Sequence, residues 1–81
     1  MPQIADARIL IMSTDGFEES ELFGPRAILG QHGAEVVLAS PALAPIRATV
    51  RDEPGRTIRP DLRIGDARAE DFDALVLPGG V

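Results

Sequence analysis

The sequence contains no cysteine and only one histidine. Without cysteine, disulfides and thiolate metal sites are excluded within these 81 residues. The single histidine, His32, cannot form a metal site unless carboxylates join it. We therefore predict no metal and no cofactor.

Basic residues and long apolar runs are also scarce. Eight basic residues face thirteen acidic ones, giving a net charge of −5, so the chain offers no positive field to nucleic acid or anionic lipid. The longest continuous apolar run, residues 9–12, is far shorter than the ~20 residues of a membrane helix, and residues 1–6 lack the basic start of a secretory signal. We expect a cytoplasmic protein with no nucleic-acid or membrane partner.

Three short apolar segments predict the strands of a parallel sheet: residues 7–13, 34–39 and 74–77. Between the first two, residues 17–31 place apolar side chains at roughly helical spacing, and Gly33 is suited to end that helix. Strand, helix and strand joined by a short second loop favour a parallel crossover. The pattern predicts an α/β fold of the flavodoxin-like, doubly wound type.

Prolines and glycines predict the irregular parts of the chain. Pro25, preceded by Gly24, predicts a kinked helix or a helix start delayed to near Gly24. Residues 40–59 contain three prolines and a β-branched stretch, which predicts a hairpin or excursion with its turn at residues 53–55. One helical turn is expected within residues 67–72.

Three motifs resemble the PfpI family of intracellular proteases. They are the acidic turn GFEESEL at residues 16–22, with Gly-Pro following; GAEV at 33–36, with Ser-Pro following its strand; and DALVLPGG at 73–80. That family belongs to the superfamily of class I glutamine amidotransferase-like folds, which includes the Parkinson-disease protein. The resemblance implies that residues 1–81 are the N-terminal half of a single PfpI-like domain, truncated after the Pro-Gly-Gly turn.

The resemblance also implies site residues. In relatives, the second glutamate of an E-x-x-E spacing lies beside a cysteine nucleophile; this position matches Glu21, with Glu18 as its near neighbour. A carboxyl group pressed against a thiolate would stay protonated and donate a hydrogen bond to sulfur. Gly79 and Gly80 match the pair that presents backbone N–H groups to a substrate carbonyl, and Gly80 is the better candidate for the oxyanion donor.

The cysteine and its neighbouring histidine have no counterpart in this sequence. The resemblance implies part of a stress-related, cysteine-dependent hydrolase or lyase of the protease, glyoxalase or deglycase type. Small carbonyl adducts or peptides would be its substrates, and it would form homo-oligomers. The alternative is a nucleophile-free homologue that acts as a non-catalytic binding or chaperone-like module. A flavodoxin-like nucleotide binder is disfavoured, because acidic residues follow the first strand where phosphate would sit.

Each motif also has a purely structural interpretation. The acidic residues 18, 19 and 21 suit a solvated first helical turn, Gly79-Gly80 suits a plain turn, and Asp15 before Gly16 is typical turn chemistry. Five arginines, at positions 47, 51, 56, 59 and 63, fit a solvated strand face or, alternatively, a subunit contact.

Overall fold

The computed structural model describes residues 3–79 of the chain. Within them, the apolar segments pair as parallel strands. The strands are β1 (Arg8–Met12), β2 (Phe17–Glu18), β3 (Glu35–Ser40), β4 (Ile46–Val50), β5 (Glu53–Ile58), β6 (Leu62–Arg63) and β7 (Ala74–Val76); the helix α1 is Glu19–Gln31. Single 3₁₀ turns lie at Ile4–Asp6, Ile64–Asp66 and Ala69–Asp71. Across residues 3–79 no helix has the length and apolarity needed to cross a membrane.

The main sheet has the strand order β6-β3-β1-β7, and all its strands are parallel. Ile11 of β1 is paired with Leu38 on one side and Val76 on the other. β1 is central because its side chains are apolar on both faces. The predicted α/β fold and its three principal strands are confirmed.

The second sheet has the order β2-β4-β5, in which β4 and β5 form the predicted hairpin. Its turn is at Arg51 and Asp52, which have φ of 51° and 68°, so the predicted turn at residues 53–55 is wrong. Positive φ at both central residues matches the right-handed twist of a two-residue hairpin. Gly55 lies instead within β5, where the register shifts opposite Ala48.

α1 begins at Glu19 and continues through Gly24 and Pro25, so the predicted delayed start near Gly24 is wrong. Phe17 and Glu18 form β2, outside the helix, because Phe17 is buried and pairs with Ala48 of the hairpin. Long-range pairing thus sets the helix start, and α1 continues through Pro25 although that residue has no N–H to donate to the helix.

The helix ends as the sequence predicts. Gly33 has φ of +89°, its N–H donates to the carbonyl of Gly30 at 3.0 Å, and the N–H of Ala34 donates to the carbonyl of Leu29 at 3.1 Å. These two bonds are the Schellman arrangement, which requires a left-handed residue at the Gly33 position.

Two glycines of this region should respond oppositely to alanine. Gly24→Ala should stabilise the chain by about 0.5–1 kcal/mol, because the position is helical and an added Cβ meets nothing within 4 Å. Gly33→Ala should destabilise it by about 1–2 kcal/mol, because left-handed backbone is strained for alanine and the Cβ would lie 3.3 Å from Ala5. Urea unfolding midpoints measure both changes. Equal midpoints for the two variants would contradict this account of the helix end.

The core joins both sheets to the helix. Its buried side chains are Ile11, Phe17, Leu22, Leu38, Ile46 and Ala48. Because side chains alternate along a strand, Leu10 and Leu75 lie on the opposite face of the main sheet, where Leu75 is 54% exposed. An apolar cleft of about 420 Å³ runs along that face. Within residues 3–79 the sheet is therefore well covered on the α1 face and open on the other.

Candidate active site

The acidic turn and the glycine motif meet at Glu21 and Gly79, which are 58 positions apart. The N–H of Gly79 donates to Oε1 of Glu21 at 2.8 Å. The carbonyl of Gly79 accepts a hydrogen bond from the N–H of Glu18 at 2.7 Å. Both backbone polar groups of Gly79 are thus bound to the acidic turn, so the two motifs form one site.

Sheet topology explains why these residues converge. β1 lies between β3 and β7, so the loops that leave the carboxyl ends of β1 and β7 meet at the point where the strand order reverses. Such switch points are where open α/β sheets bind ligands. A cleft of about 180 Å³ lies between the two loops, lined by Ser13, Thr14, Asp15, Gly16, Phe17, Pro78 and Gly79.

A side chain at position 79 would collide with the Glu21 carboxylate in its present position. A Cβ added to Gly79 would lie 2.7 Å from Oε1 of Glu21 and 3.4 Å from its Cδ. No ordinary carbon–oxygen contact is that short, so a side chain would displace either the loop or the carboxylate.

Of the predicted glycine pair, only Gly79 can be compared with the structure. The N–H of Gly79, which we expected to face a substrate, is taken up by Glu21. Gly80 lies outside the described residues. Glu18 contributes its backbone N–H, and its side chain makes no capping hydrogen bond to α1.

Glu19 holds the hairpin against the helix, a role that the sequence analysis missed. Its Oε1 accepts the backbone N–H of Arg56 at 2.9 Å, and its Oε2 lies 3.4 Å from the Arg56 guanidinium. That guanidinium stacks over the ring of Phe23, 3.8 Å from its centroid. Glu19 and Arg56 are 37 positions apart, so no local pattern indicated their contact, and Arg56 does not belong to a merely solvated face.

Replacing Glu19 should loosen this attachment. We expect Glu19→Ala to lower the free energy of unfolding by about 1 kcal/mol, mostly through loss of the acceptor for the Arg56 N–H, since a partly exposed ion pair adds little. The same replacement should cost nearly as much in an Arg56→Ala background, where the backbone N–H remains. If Arg56→Ala abolished the effect, the ion pair and not the backbone bond would be the attachment.

Asp15 and Gly16 lie in a turn, as predicted, and they also join the cleft to the hairpin. Its Oδ1 accepts the N–H of Arg47 at 2.9 Å, and the N–H of Gly16, whose φ is +88°, donates to the Arg47 carbonyl at 2.9 Å. The wall of the cleft formed by residues 15 and 16 is therefore held in place by β4.

Metal ligation has no support in the described part of the chain. No group of three or more histidine, cysteine, aspartate or glutamate side chains is placed to hold a metal there. His32 is exposed and follows the last turn of α1, whereas Glu21 lies in the first. At a rise of about 1.5 Å per residue, roughly 16 Å of helix separates them.

Comparison with known proteins gives concordant matches in sequence and structure. The DJ-1/PfpI family model matches residues 7–81. A deglycase of Pyrococcus abyssi is 41% identical over 73 residues, which is 90% of this chain, and deglycase PfpI of Pyrococcus furiosus is 36% identical over the same length. The crystal structure of a DJ-1 superfamily protein from Agrobacterium tumefaciens superposes with a TM-score of 0.79 at 30% identity, over 93% of this chain and 38% of that one.

These matches cover a limited share of each relative. The chain spans 42% of the length of both Pyrococcus deglycases.

Proposed function

Because the chain belongs to the DJ-1/PfpI family, we propose that it is the N-terminal part of a cysteine-dependent hydrolase of the deglycase type, whose nucleophile lies in a C-terminal continuation. The main support for this proposal is the hydrogen bond between Glu21 and Gly79 at the β1–β7 switch point. It brings together the two motifs whose counterparts in the family flank the nucleophile. Relatives named deglycases support the choice of reaction.

The open face of the sheet supports the continuation. Parallel sheets are normally covered on both faces, but Leu75 is 54% exposed and Leu77 66% exposed. Relatives have more than twice the length of this chain, since it covers 42% of them. Further helices packed over Leu10 and Leu75 would bury this surface and complete the domain.

In the proposed mechanism, a cysteine thiolate attacks the carbonyl carbon of the substrate. A carbon–sulfur bond forms, and the carbonyl electron pair moves to oxygen, where a backbone N–H from Gly80 stabilises the charge. Glu21 would donate a hydrogen bond to the thiolate through its second oxygen, Oε2, because Oε1 already accepts the Gly79 N–H. Glu18 would hold the carbonyl of Gly79 in place. No metal or cofactor enters this scheme.

The wider role follows the same family. We propose small carbonyl adducts or peptides as substrates, a stress-related function in the cytoplasm, and assembly into homodimers or larger homo-oligomers. Protease, glyoxalase and deglycase reactions all begin with a thiolate attacking a carbonyl. The residues of this site are therefore compatible with all three reactions.

The non-catalytic alternative depends on the missing cysteine. That absence applies to 81 residues, which span 42% of the deglycases they match, so it does not favour a binding module.

The proposal predicts that the complete gene product contains a cysteine followed by a histidine at a strand-to-helix turn. Replacing that cysteine with serine should lower the release of amine from dicarbonyl-treated N-acetylarginine by at least about 10³-fold. Unmodified peptides assayed in parallel would reveal a protease. Full activity of the serine variant, or a complete reading frame without cysteine, would overturn the proposal in favour of the non-catalytic module.

A further inference from the structure

We infer that Glu21 is also a positioning residue, because it holds the Gly79 loop in the conformation that the site needs. The catalytic consequence of this role rests on the proposed function, but the contact itself involves only described residues. One carboxyl group would then both orient the glycine loop and face the nucleophile.

In its described part, residues 77–79, the loop after β7 is attached mainly through Gly79. Leu77 is 66% exposed, and Pro78 has no N–H to donate. Gly79 supplies the first backbone donor after Leu77, and that donor goes to Glu21. Its carbonyl accepts from the N–H of Glu18 at 2.7 Å. Two opposed hydrogen bonds on one residue fix both peptide planes around it, which a single bond would not do.

The contact also fixes the carboxyl group. An exposed glutamate on a helix occupies several rotamers, and Glu21 is exposed. The Gly79 N–H selects one rotamer and commits Oε1 as an acceptor, which leaves Oε2 to face the nucleophile. Pre-organisation of this kind is what a precise site requires from its supporting contacts.

Three substitutions separate the hydrogen bond from the charge. In Glu21→Gln, the amide oxygen can still accept the Gly79 N–H, although the side chain no longer ionises. In Glu21→Asp, the carboxylate remains but is shorter by one methylene, so it falls short of the loop. In Gly79→Ala, Glu21 is intact but the added Cβ would lie 2.7 Å from its Oε1.

Amide hydrogen exchange in the ¹⁵N-glycine-labelled complete gene product tests this inference. Glu21→Ala and Glu21→Asp should each speed exchange of the Gly79 amide by about 3- to 10-fold, the range expected for loss of one hydrogen bond. Glu21→Gln should retain most of the protection. Gly16 and Gly33 serve as internal controls, because their N–H groups donate to the carbonyls of Arg47 and Gly30 and should exchange unchanged.

Two results would overturn the inference: a Gly79 amide that exchanges without protection in the unaltered chain, or a Glu21→Gln variant that loses as much protection as Glu21→Ala. Neither result depends on catalysis. Failure of the positioning role would therefore leave the proposed enzyme standing, and an inactive full-length protein with a protected Gly79 would leave the positioning role standing.

Discussion

Glu21→Ala in the complete enzyme is expected to lower kcat/KM by about 10²- to 10⁴-fold, the range for losing a proton-handling group or misplacing reacting atoms. Both losses apply, because the variant has no carboxyl to face the thiolate and no acceptor for the Gly79 N–H. Steady-state kinetics on a dicarbonyl adduct would measure the change. The fall should appear mainly in kcat, because the missing contacts act on the reacting groups.

The conservative variants give this prediction its control. Glu21→Gln keeps an acceptor for Gly79 and a donor for sulfur, so it should retain more activity than Glu21→Asp, although aspartate preserves the carboxyl group. If the aspartate variant were the more active one, the negative charge, and not the geometry of the two hydrogen bonds, would be the property that matters at this position.

Leu22→Ala should have the largest effect on stability, about 2–5 kcal/mol, which is enough to unfold a chain of this size. Leu22 is fully buried, with 0% exposure, and belongs to the cluster that joins α1 to both sheets. Removing its side chain leaves a cavity in the core that α1 shares with both sheets. Urea or thermal unfolding followed by far-UV circular dichroism would measure the loss.

Ile28 provides a matched control on the same helix, because its side chain is 58% exposed. Ile28→Ala should change the free energy of unfolding by less than about 0.5 kcal/mol, as is usual for surface positions. Similar losses for both variants would mean that α1 does not pack on the sheets as described.

The parts of the fold that could be predicted from the sequence are those encoded by local apolar pattern. β1, β3 and β7 appear in the sequence as short apolar segments, and Gly33 marks the end of α1 through its own backbone freedom. These features depend on residues close together in the chain.

The features that were predicted wrongly depend on distant partners. Phe17 fits a helical pattern locally, but its pairing with Ala48 draws it into β2. Gly55 follows a proline, as a turn glycine does, yet Glu19 and Ala48 occupy the space where its side chain would be. Neither neighbour can be identified from the residues around position 55.

The candidate site, like the fold, combines features that the sequence indicates with features that only the structure shows. Glu21 and the glycine pair were indicated only by resemblance to a family, since a glutamate in a first helical turn and glycines after a strand are common. The structure adds the hydrogen bond between Glu21 and Gly79 and the backbone bond from Glu18. Both are consequences of the β1–β7 pairing, which no local pattern specifies.

The intact mass of the native gene product, measured before and after brief alkylation with iodoacetamide, tests the central claim most directly. We predict about 18 kDa, because the matched 73 residues make up 90% of the 8.6 kDa chain and 42% of the relative's length. We also predict one rapidly alkylated thiol, as expected for an activated cysteine. A native product of 8.6 kDa that takes up no alkyl group would contradict the claim that this chain is part of a cysteine-dependent enzyme.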